Sequence, residues 1–574
     1  MTLKELKEFV AHLEDLRQAR LAVWRELRDA IIPHRGVFPS DTEESRAKLA
    51  AALDNYNNAP LQSLRRGSSG LWSAMTPPGL PWWHLGFNDA SMSSLSLDEV
   101  PGAREWLDAV EEQIAAAIRR SGFYQAIHAG NEEYIGFGCM LQYAGMEDVY
   151  DAEGGYEQRV LCACAPCGSY AVALDTAGEL QAVARSIRYT LRELEKKFGK
   201  AQLSRASQNA LEKTPYKLVN VLHVVMRRVE RAQGREDSRN LPVASYFYEE
   251  DGEALLHEGG YREMPYFFAT WTSGVTLYGH GPGDIALGEI RTLNSMERDV
   301  LIGLKKTIDP PMNVLSSHRK DFSTRPGARN DVTDTSREGA RPAQEINFLP
   351  GLQAVSGKVQ EVAARIDDIL LGRVFADPYL DQLQQGVTAT AILAQRQQRA
   401  QMMGPAVSSY ETRILVPLIM RFKSLMDEAM LLPPLPPALA RMQKMPRALL
   451  SVDFVSPMQT TLRMDSAQAN LAFVERVGSI AQFDPQAKDK LNTDQLIDEL
   501  AKDMGASGAI VRSDQEVARI REARAEEMRR REAQGQAQKM AELAINAGNM
   551  RTRDTLAGAL GDAGEEGADN GPAH

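Results

Sequence analysis

The segments DIALGEIRTLNSMERDVLIGLKKTI (residues 284–308) and LQAVSGKVQEVAARIDDILLGRVF (residues 352–375) decide the architecture of this 574-residue chain. In the first, Ile290, Leu293, Met296, Val300, Leu304 and Ile308 step by three or four. In the second, Val355, Val359, Val362, Ile366, Ile369 and Leu370 repeat the step. That spacing lines apolar side chains along one stripe of an α-helix. At ~1.5 Å per residue each helix reaches roughly 35 Å, a domain diameter. Pro310-Pro311 stops the first helix and Pro350-Gly351 precedes the second, while residues 311–350 between them are polar and without helical period. Two long helices with a small module at their far end form an axial element rather than an enzyme core. The plainer alternative is a helical hairpin inside an ordinary domain.

Length allows two to four domains, and 43% hydrophobic with 25% charged residues is ordinary for globular protein. The start, Met1 to Glu8, reads as an amphipathic helix rather than a secretory signal, and no run approaches the ~18 apolar residues a membrane span needs. The expectation is a protein made in the cytosol, without a membrane partner. A net charge of −11 excludes a surface that grips nucleic acid all over. Of the four cysteines, Cys139, Cys162, Cys164 and Cys167, the pair Cys164-x-x-Cys167 invites a zinc or redox reading. Zinc would need a fourth ligand from Cys139 or a distant histidine. The alternation from Arg159 to Cys164, followed by Pro166-Cys167-Gly168-Ser169, favours a buried strand and turn, with the cysteines as small apolar residues.

Outward from the central hairpin, helices are expected at Leu3–Ile32, Asn58–Met75, Val100–Ser121 and Tyr189–Ala210. A Pro-Trp strand is expected near residues 80–85, and strand-rich blocks at Leu141–Ile187 and Leu218–Thr276, with turns at Asp251-Gly252 and Gly259-Gly260. Blocks of strands and helices make the fold α+β, mainly helical. Downstream, Ala376 to Gly386 is polar. A long helix from Thr388 should kink at Gly404-Pro405 and stop at Pro433 to Pro437. A short strand at Leu450–Val455 and a helix at Ser466–Ile480 follow. Residues 515–544 form a charged helix whose stretch 519–531 has little apolar face. The Gly-, Ala- and acid-rich end reads as partly disordered from 546 to 574.

No catalytic constellation stands out. Gly351 to Lys358 is one residue too long for a P-loop, and Val359 replaces the Ser or Thr that would hold magnesium, so Lys358 lies on an exposed helix face. Gly136-Phe137-Gly138 and Gly281-Pro282-Gly283 lack the third glycine of a dinucleotide site. Nine histidines give no metal spacing. No enzyme and no cofactor are expected.

The order of these features resembles the portal, or head-to-tail connector, protein of short-tailed bacteriophages. Arg25 to Pro33 is similar to the family's first-helix exit. Gly70-Leu71-Trp72, Thr76-Pro77-Pro78 and Pro81-Trp82-Trp83 resemble its small-residue helix and Pro-Trp strand. Trp271 and Tyr278-Gly279-His280-Gly281-Pro282 resemble the entry to its first stem helix, and Asp309-Pro310-Pro311 the exit. Thr388-Ala389-Thr390, Gly404-Pro405 and Leu415-Val416-Pro417-Leu418 resemble its wing helix. The match spans roughly residues 10–440, and the order of the motifs is more specific than any one of them.

The resemblance implies a homo-oligomeric ring, usually of twelve subunits, at one capsid vertex of the virion, assembled in the host cytoplasm. Double-stranded DNA passes through it non-specifically in packaging and ejection. The implied partners are the terminase large subunit (the packaging ATPase), tail and adaptor proteins, and the major capsid and scaffolding proteins. The implied parts are a wing (1–283), stem helices (284–308 and 352–375), a clip (309–351), a channel loop (376–387), a kinked wing helix (388–449), a crown (450–545) and a tail (546–574). Candidate site residues follow from this division. Asp377, Tyr379, Gln382, Gln384 and Gln385 would lie in the channel loop. Arg319, Lys320, Arg325 and Arg329 would dock partners on the clip. Lys305, Lys306 and Lys358 would be channel-facing stem residues, although capping of the helix dipole is the simplest role of the first two. Two rival classes are a non-viral oligomeric helical scaffold and a cysteine-based redox or zinc protein.

Overall fold

The computed structural model describes residues 3–35, 38, 41, 55–87, 102–150, 156–231, 237–272, 276–308, 312–314, 343–345, 349–375, 403–437, 450–480, 491–503 and 514–560. The chain divides into two units, residues 1–469 and 470–574.

The larger unit is built on antiparallel sheets covered by helices, an α+β arrangement. Helix α1 (Leu3–Ile31) buries Leu6, Val10, Leu13, Leu21, Trp24, Leu27 and Ile31, the three-to-four step of its sequence. It stops where Pro33 cannot continue the ladder. Helix α2 (Ala59–Met75) starts with Pro60 in its first turn and leads into strand β1 (Trp83–Phe87). Helices α3 (Ala103–Arg120) and α4 (Phe123–Phe137) are separated by Gly122 in the left-handed region. Strands β2 (Cys139–Tyr150) and β3 (Tyr156–Ala165) pair antiparallel. Strands β4 (Tyr170–Leu174) and β5 (Leu180–Thr190) then open a second sheet.

After two short helices, α5 (Leu191–Phe198) and α6 (Arg205–Lys213), come β6 (Leu218–Arg227), β7 (Val243–Glu249), β8 (Ala254–Tyr261) and β9 (Tyr266–Thr270). The five-stranded sheet runs in order β4-β5-β6-β7-β8, and β9 returns to the first sheet to give β3-β2-β9. One face of the five-stranded sheet receives Leu6, Val10 and Leu13 of α1. A separate cluster places Leu191 and Leu194 of α5 and Leu211 of α6 against Val219, Val221 and Phe247.

Helix α7 (Pro282–Ile308) and helix α8 (Leu349–Ile369) follow, with β10 (Met312–Val314) and β11 (Ala343–Glu345) between them. The helix beyond residue 403 consists of α9 (Gly404–Tyr410), a π-helical turn (Glu411–Leu415) and α10 (Val416–Glu428). Strand β12 (Leu450–Phe454) pairs with β1 in the register Trp83↔Phe454 to Phe87↔Leu450. Helix α11 (Pro457–Ile480) follows. In the smaller unit, α12 (Thr493–Asp503) meets α13 (Asp514–Leu560) through Arg521, which donates to both carboxylate oxygens of Asp494 at 2.6 and 2.7 Å.

Several expectations are corrected. Helix α4 carried no periodic signal because it is buried nearly all round, from Ile127 through Gly130, Asn131 and Glu133 to Phe137. The helix expected over 189–210 is two helices. Strand β5 runs to Thr190, whose side chain forms a capping box with Glu193, and Gly199 at φ 87° ends the first turns. Gly259-Gly260 lies inside β8 rather than in a turn. Gly260 sits so close to the Val243 and Ser238 carbonyls that a side chain would clash.

Helix α8 includes Pro350 in its first turn, where the missing N–H costs nothing. It ends at Ile369 instead of Phe375. The Gly372 N–H donates to Asp367 O (2.8 Å) and the Leu371 N–H to Asp368 O (3.3 Å), a Schellman ending with Leu371 at φ 65°. The residues before Met403 on the far side of the kink expected at Gly404-Pro405 lie outside the described residues; within them, α9 opens at Gly404 and a further distortion comes at Glu411–Leu415. Pro417 cannot donate to the Arg413 carbonyl, and the backbone widens so that the Val416 N–H reaches Glu411 O.

The two compact units divide at 469/470. β12 belongs with β1, and Phe454 stacks on Trp82 at 6.4 Å and 7°. Helix α12 was not anticipated, and α13 continues past residue 545 to Leu560. The short ribbon β10–β11 inside the polar insert was also missed; three residues per strand are too few for an alternation signal.

Candidate functional site at the helical hairpin

Helices α7 and α8 lie antiparallel. Glu289, in the first half of α7, accepts from Arg365 in the last third of α8 at 2.8 Å. At the other end the register Met312↔Glu345 to Val314↔Ala343 brings the two ends of the polar insert together. Ile290 and Leu293 of α7 and Val362 and Ile366 of α8 are buried in the main core. The Arg365 guanidinium also holds Glu361 at 2.7 Å. The hydrogen bond from Lys358 to Glu361, 2.7 Å, is the main reason that this carboxyl sits below its ordinary range, and the bond to Glu289 likewise raises Arg365. All these groups are exposed or half-exposed, so their contribution to stability is small.

The base of α7 is fixed by close packing. Gly283 lies against Gly136 and Gly281 against Gly138. A Cβ at 283 would sit 2.8 Å from the Gly136 carbonyl carbon, and one at 281 would sit 2.6 Å from Gly138 Cα. The two G-x-G motifs that failed as nucleotide sites thus close on each other. Asp284 in the first turn of α7 accepts from Arg20 of α1 and from the Gly281 N–H at 2.8 Å. Arg20 also donates to Phe137 O at 3.1 Å, as does Trp24 Nε1. A carboxylate at a helix N-terminus is favoured by the exposed N–H groups there. This junction ties α1, α4 and α7 at one point.

The end of α8 is seated on α2. Arg66 donates to Asp367 at 2.8 Å, and Gly67 faces Leu370 so closely that a Cβ would lie 3.3 Å from its carbonyl carbon. Gly70 receives the Phe375 ring. Neither Asp284 and Arg20 nor Asp367 and Arg66 were singled out from the sequence. The usable signals were an acid two residues after a helix-starting proline and the pair Gly67-x-x-Gly70.

In the outer half of α7 only Met296 packs against the main core among the described residues. Beyond Leu293 no residue of that helix is buried, and Leu301 (44%), Leu304 (45%) and Ile308 (84%) are exposed. Lys305 and Lys306 sit in its last turn, exposed, where cations offset the helix dipole. Lys358 is exposed on α8 and paired with Glu361. The hairpin therefore brings Lys305, Lys306 and Lys358 onto one element. Asp377, Tyr379, Gln382, Gln384 and Gln385 lie outside the described residues, as do Arg319, Lys320, Arg325 and Arg329.

Among the described residues, no group of three or more His, Cys, Asp or Glu side chains is placed to hold a metal ion. No helix among them is long and apolar enough to cross a membrane. Cys162 is buried on β3, and burial pushes its thiol up to about 12. Burial raises Cys164 and Cys167 as well.

A family model described as bacteriophage head to tail connecting protein matches residues 3–511. The chain belongs to that family. It is 27% identical over 547 residues to the probable portal protein of Bordetella phage BPP-1, covering 93% of each chain. It is also 27% identical over 566 residues to the portal protein of Salmonella phage epsilon15, covering 96% of this chain and 97% of the relative.

Proposed function

We propose that this connector protein assembles as a closed ring, of about twelve copies as the portal resemblance implies, at one vertex of the phage capsid. Double-stranded DNA crosses the ring during packaging and ejection. In this reading α7 and α8 are the stem around the channel, and residues 309–351 are a clip that docks first the terminase large subunit and later tail or adaptor proteins. Residues 376–387 are the channel loop, residues 1–283 and 388–449 the wing, residues 450–545 a mainly helical crown and residues 546–574 a C-terminal tail. Ring assembly takes place in the host cytoplasm.

One observation carries the proposal beyond family membership: the outer half of α7 presents Leu301, Leu304 and Ile308 to solvent in the protomer. A stripe of that kind on a long helix is stable when a neighbouring helix covers it. A second copy, rotated about the channel axis, supplies that neighbour, and a head-to-tail contact that closes gives a ring. Charge supports the conduit. Twelve copies at −11 each amount to −132, which keeps a polyanion from adhering to the wall. Lys305 and Lys306 in the last turn of α7 would add a local basic girdle.

The test is the native mass of the purified particle. A closed ring near twelve protomers is expected. A dimer or trimer would instead favour a helical scaffold joined through α13.

A further inference from the structure

The C-x-x-C motif pairs Cys164 with Cys167 on paper, but the fold gives Cys167 a different partner. Its Sγ lies 3.6 Å from Cys139 Sγ, and both side chains are buried, at 1% and 0% exposure. Both sulfurs also meet the Tyr170 hydroxyl, at 3.4 and 3.5 Å. Cys164 Sγ, by contrast, points to the Ala165 carbonyl at 3.7 Å and is partly exposed.

The backbone around Cys167 is fixed. Its N–H donates to Glu133 and its carbonyl accepts from Arg35, each at 2.9 Å. Cys139 opens β2 opposite Thr270 of β9. Each cysteine adjoins a glycine in the left-handed region, Gly138 at φ 83° and Gly168 at φ 86°. Closing the sulfurs to a bond of ~2.05 Å needs a shift of roughly 1.5 Å, shared between two segments that each have a glycine beside the cysteine.

We propose that Cys139 and Cys167 form a latent disulfide staple, closed when the protein meets a peroxide-class oxidant. One thiolate sulfur attacks the peroxide, the O–O bond breaks with release of hydroxide, and a sulfenic acid forms. The second sulfur displaces that oxygen, which leaves as water after taking the remaining proton. Two thiols and one hydrogen peroxide thus give one disulfide and two waters. The staple joins the start of β2 to the turn after β3. It sits one residue from Gly138, which packs on Gly281 at the base of α7, so closure would stiffen the seat of that helix. Burial disfavours the thiolate of Cys167, so closure should be slow at neutral pH and faster as pH rises.

The test uses the full-length chain treated with hydrogen peroxide, then proteolysis and mass spectrometry without reduction. The expected product is a Cys139–Cys167 cross-linked peptide, with Cys162 remaining free, two of the four thiols lost to titration and the melting temperature raised by several degrees. Cys164→Ser should leave the cross-link intact, and Cys139→Ser should abolish it. A Cys164–Cys167 cross-link would overturn the proposal. So would a wild-type chain that accumulates sulfinic acid at Cys164 while Cys139 and Cys167 stay reduced.

Discussion

Replacing Gly283 by alanine should loosen the base of α7, whereas the same change at Gly288, five residues along the same helix, should tighten it. At 283 the new Cβ would stand 2.8 Å from the Gly136 carbonyl carbon and 3.2 Å from its Cα. Carbon atoms pack comfortably near 3.5–4.0 Å, so α7 must retreat from α4 by close to an ångström. The obstacles are backbone atoms of Gly136 in α4, so no side chain can swing aside. Overpacking of this kind costs ~1–3 kcal/mol. The retreat also stretches the charge-assisted bond from Arg20 to Asp284, worth ~1.5–3 kcal/mol. A loss of ~3 kcal/mol is a reasonable centre. At 288 nothing lies within 4 Å of the added Cβ, and alanine in a helix interior is favoured over glycine by ~0.5–1 kcal/mol. The two substitutions should therefore differ by ~4 kcal/mol. Native-state hydrogen exchange reads the difference locally: amides near the start of α7 should exchange on the order of a hundredfold faster in Gly283→Ala and no faster in Gly288→Ala. Equal protection in the two variants would refute the claim that backbone contact between the glycine pairs seats this helix.

Val362→Asp should prevent folding of the protomer, because Val362 is fully buried beneath α7, while Leu304→Asp should leave the protomer's melting temperature unchanged and abolish ring formation in native mass measurements. His223 is buried, stacks on Phe247, and hydrogen-bonds Tyr266 and Ser245; burial lowers its pKa to about 3. A depressed value means that its neutral form contributes stability fully above its unfolded pKa near 6.5. That contribution is lost as pH falls toward 3, with a slope approaching ~1.4 kcal/mol per pH unit. His223→Gln should flatten that part of the stability–pH curve even if it lowers the plateau at pH 7. Reversing the charges of Arg319 and Lys320 should leave rings intact in electron micrographs yet reduce DNA packaging in an in vitro assay; unchanged packaging counts against a docking role for the clip. Deleting Gln382–Gln385 should permit assembly but impair retention of the packaged genome, and full retention would remove the channel-loop assignment.

The sequence by itself determined which stretches are amphipathic helices and which alternate as strands. Ile290 to Ile308 and Val355 to Leu370 announced α7 and α8 because helical periodicity is a property of neighbours within a few turns. It also supplied the order of motifs that pointed to the connector family. The tertiary structure alone decided what those elements meet. That β12 pairs with β1, that Cys167 turns to Cys139, that Arg20 reaches Asp284 and that two failed nucleotide motifs close on each other depends on contacts between residues far apart in the chain. No local spacing encodes such contacts. Helix α4 escaped for a related reason: a helix enclosed on nearly every side has no polar face to set the period, so the neighbours that bury it are what make it recognisable. The exposed half of α7 is the converse case. Its periodicity promised a buried stripe, and among the described residues the fold leaves Leu301, Leu304 and Ile308 exposed.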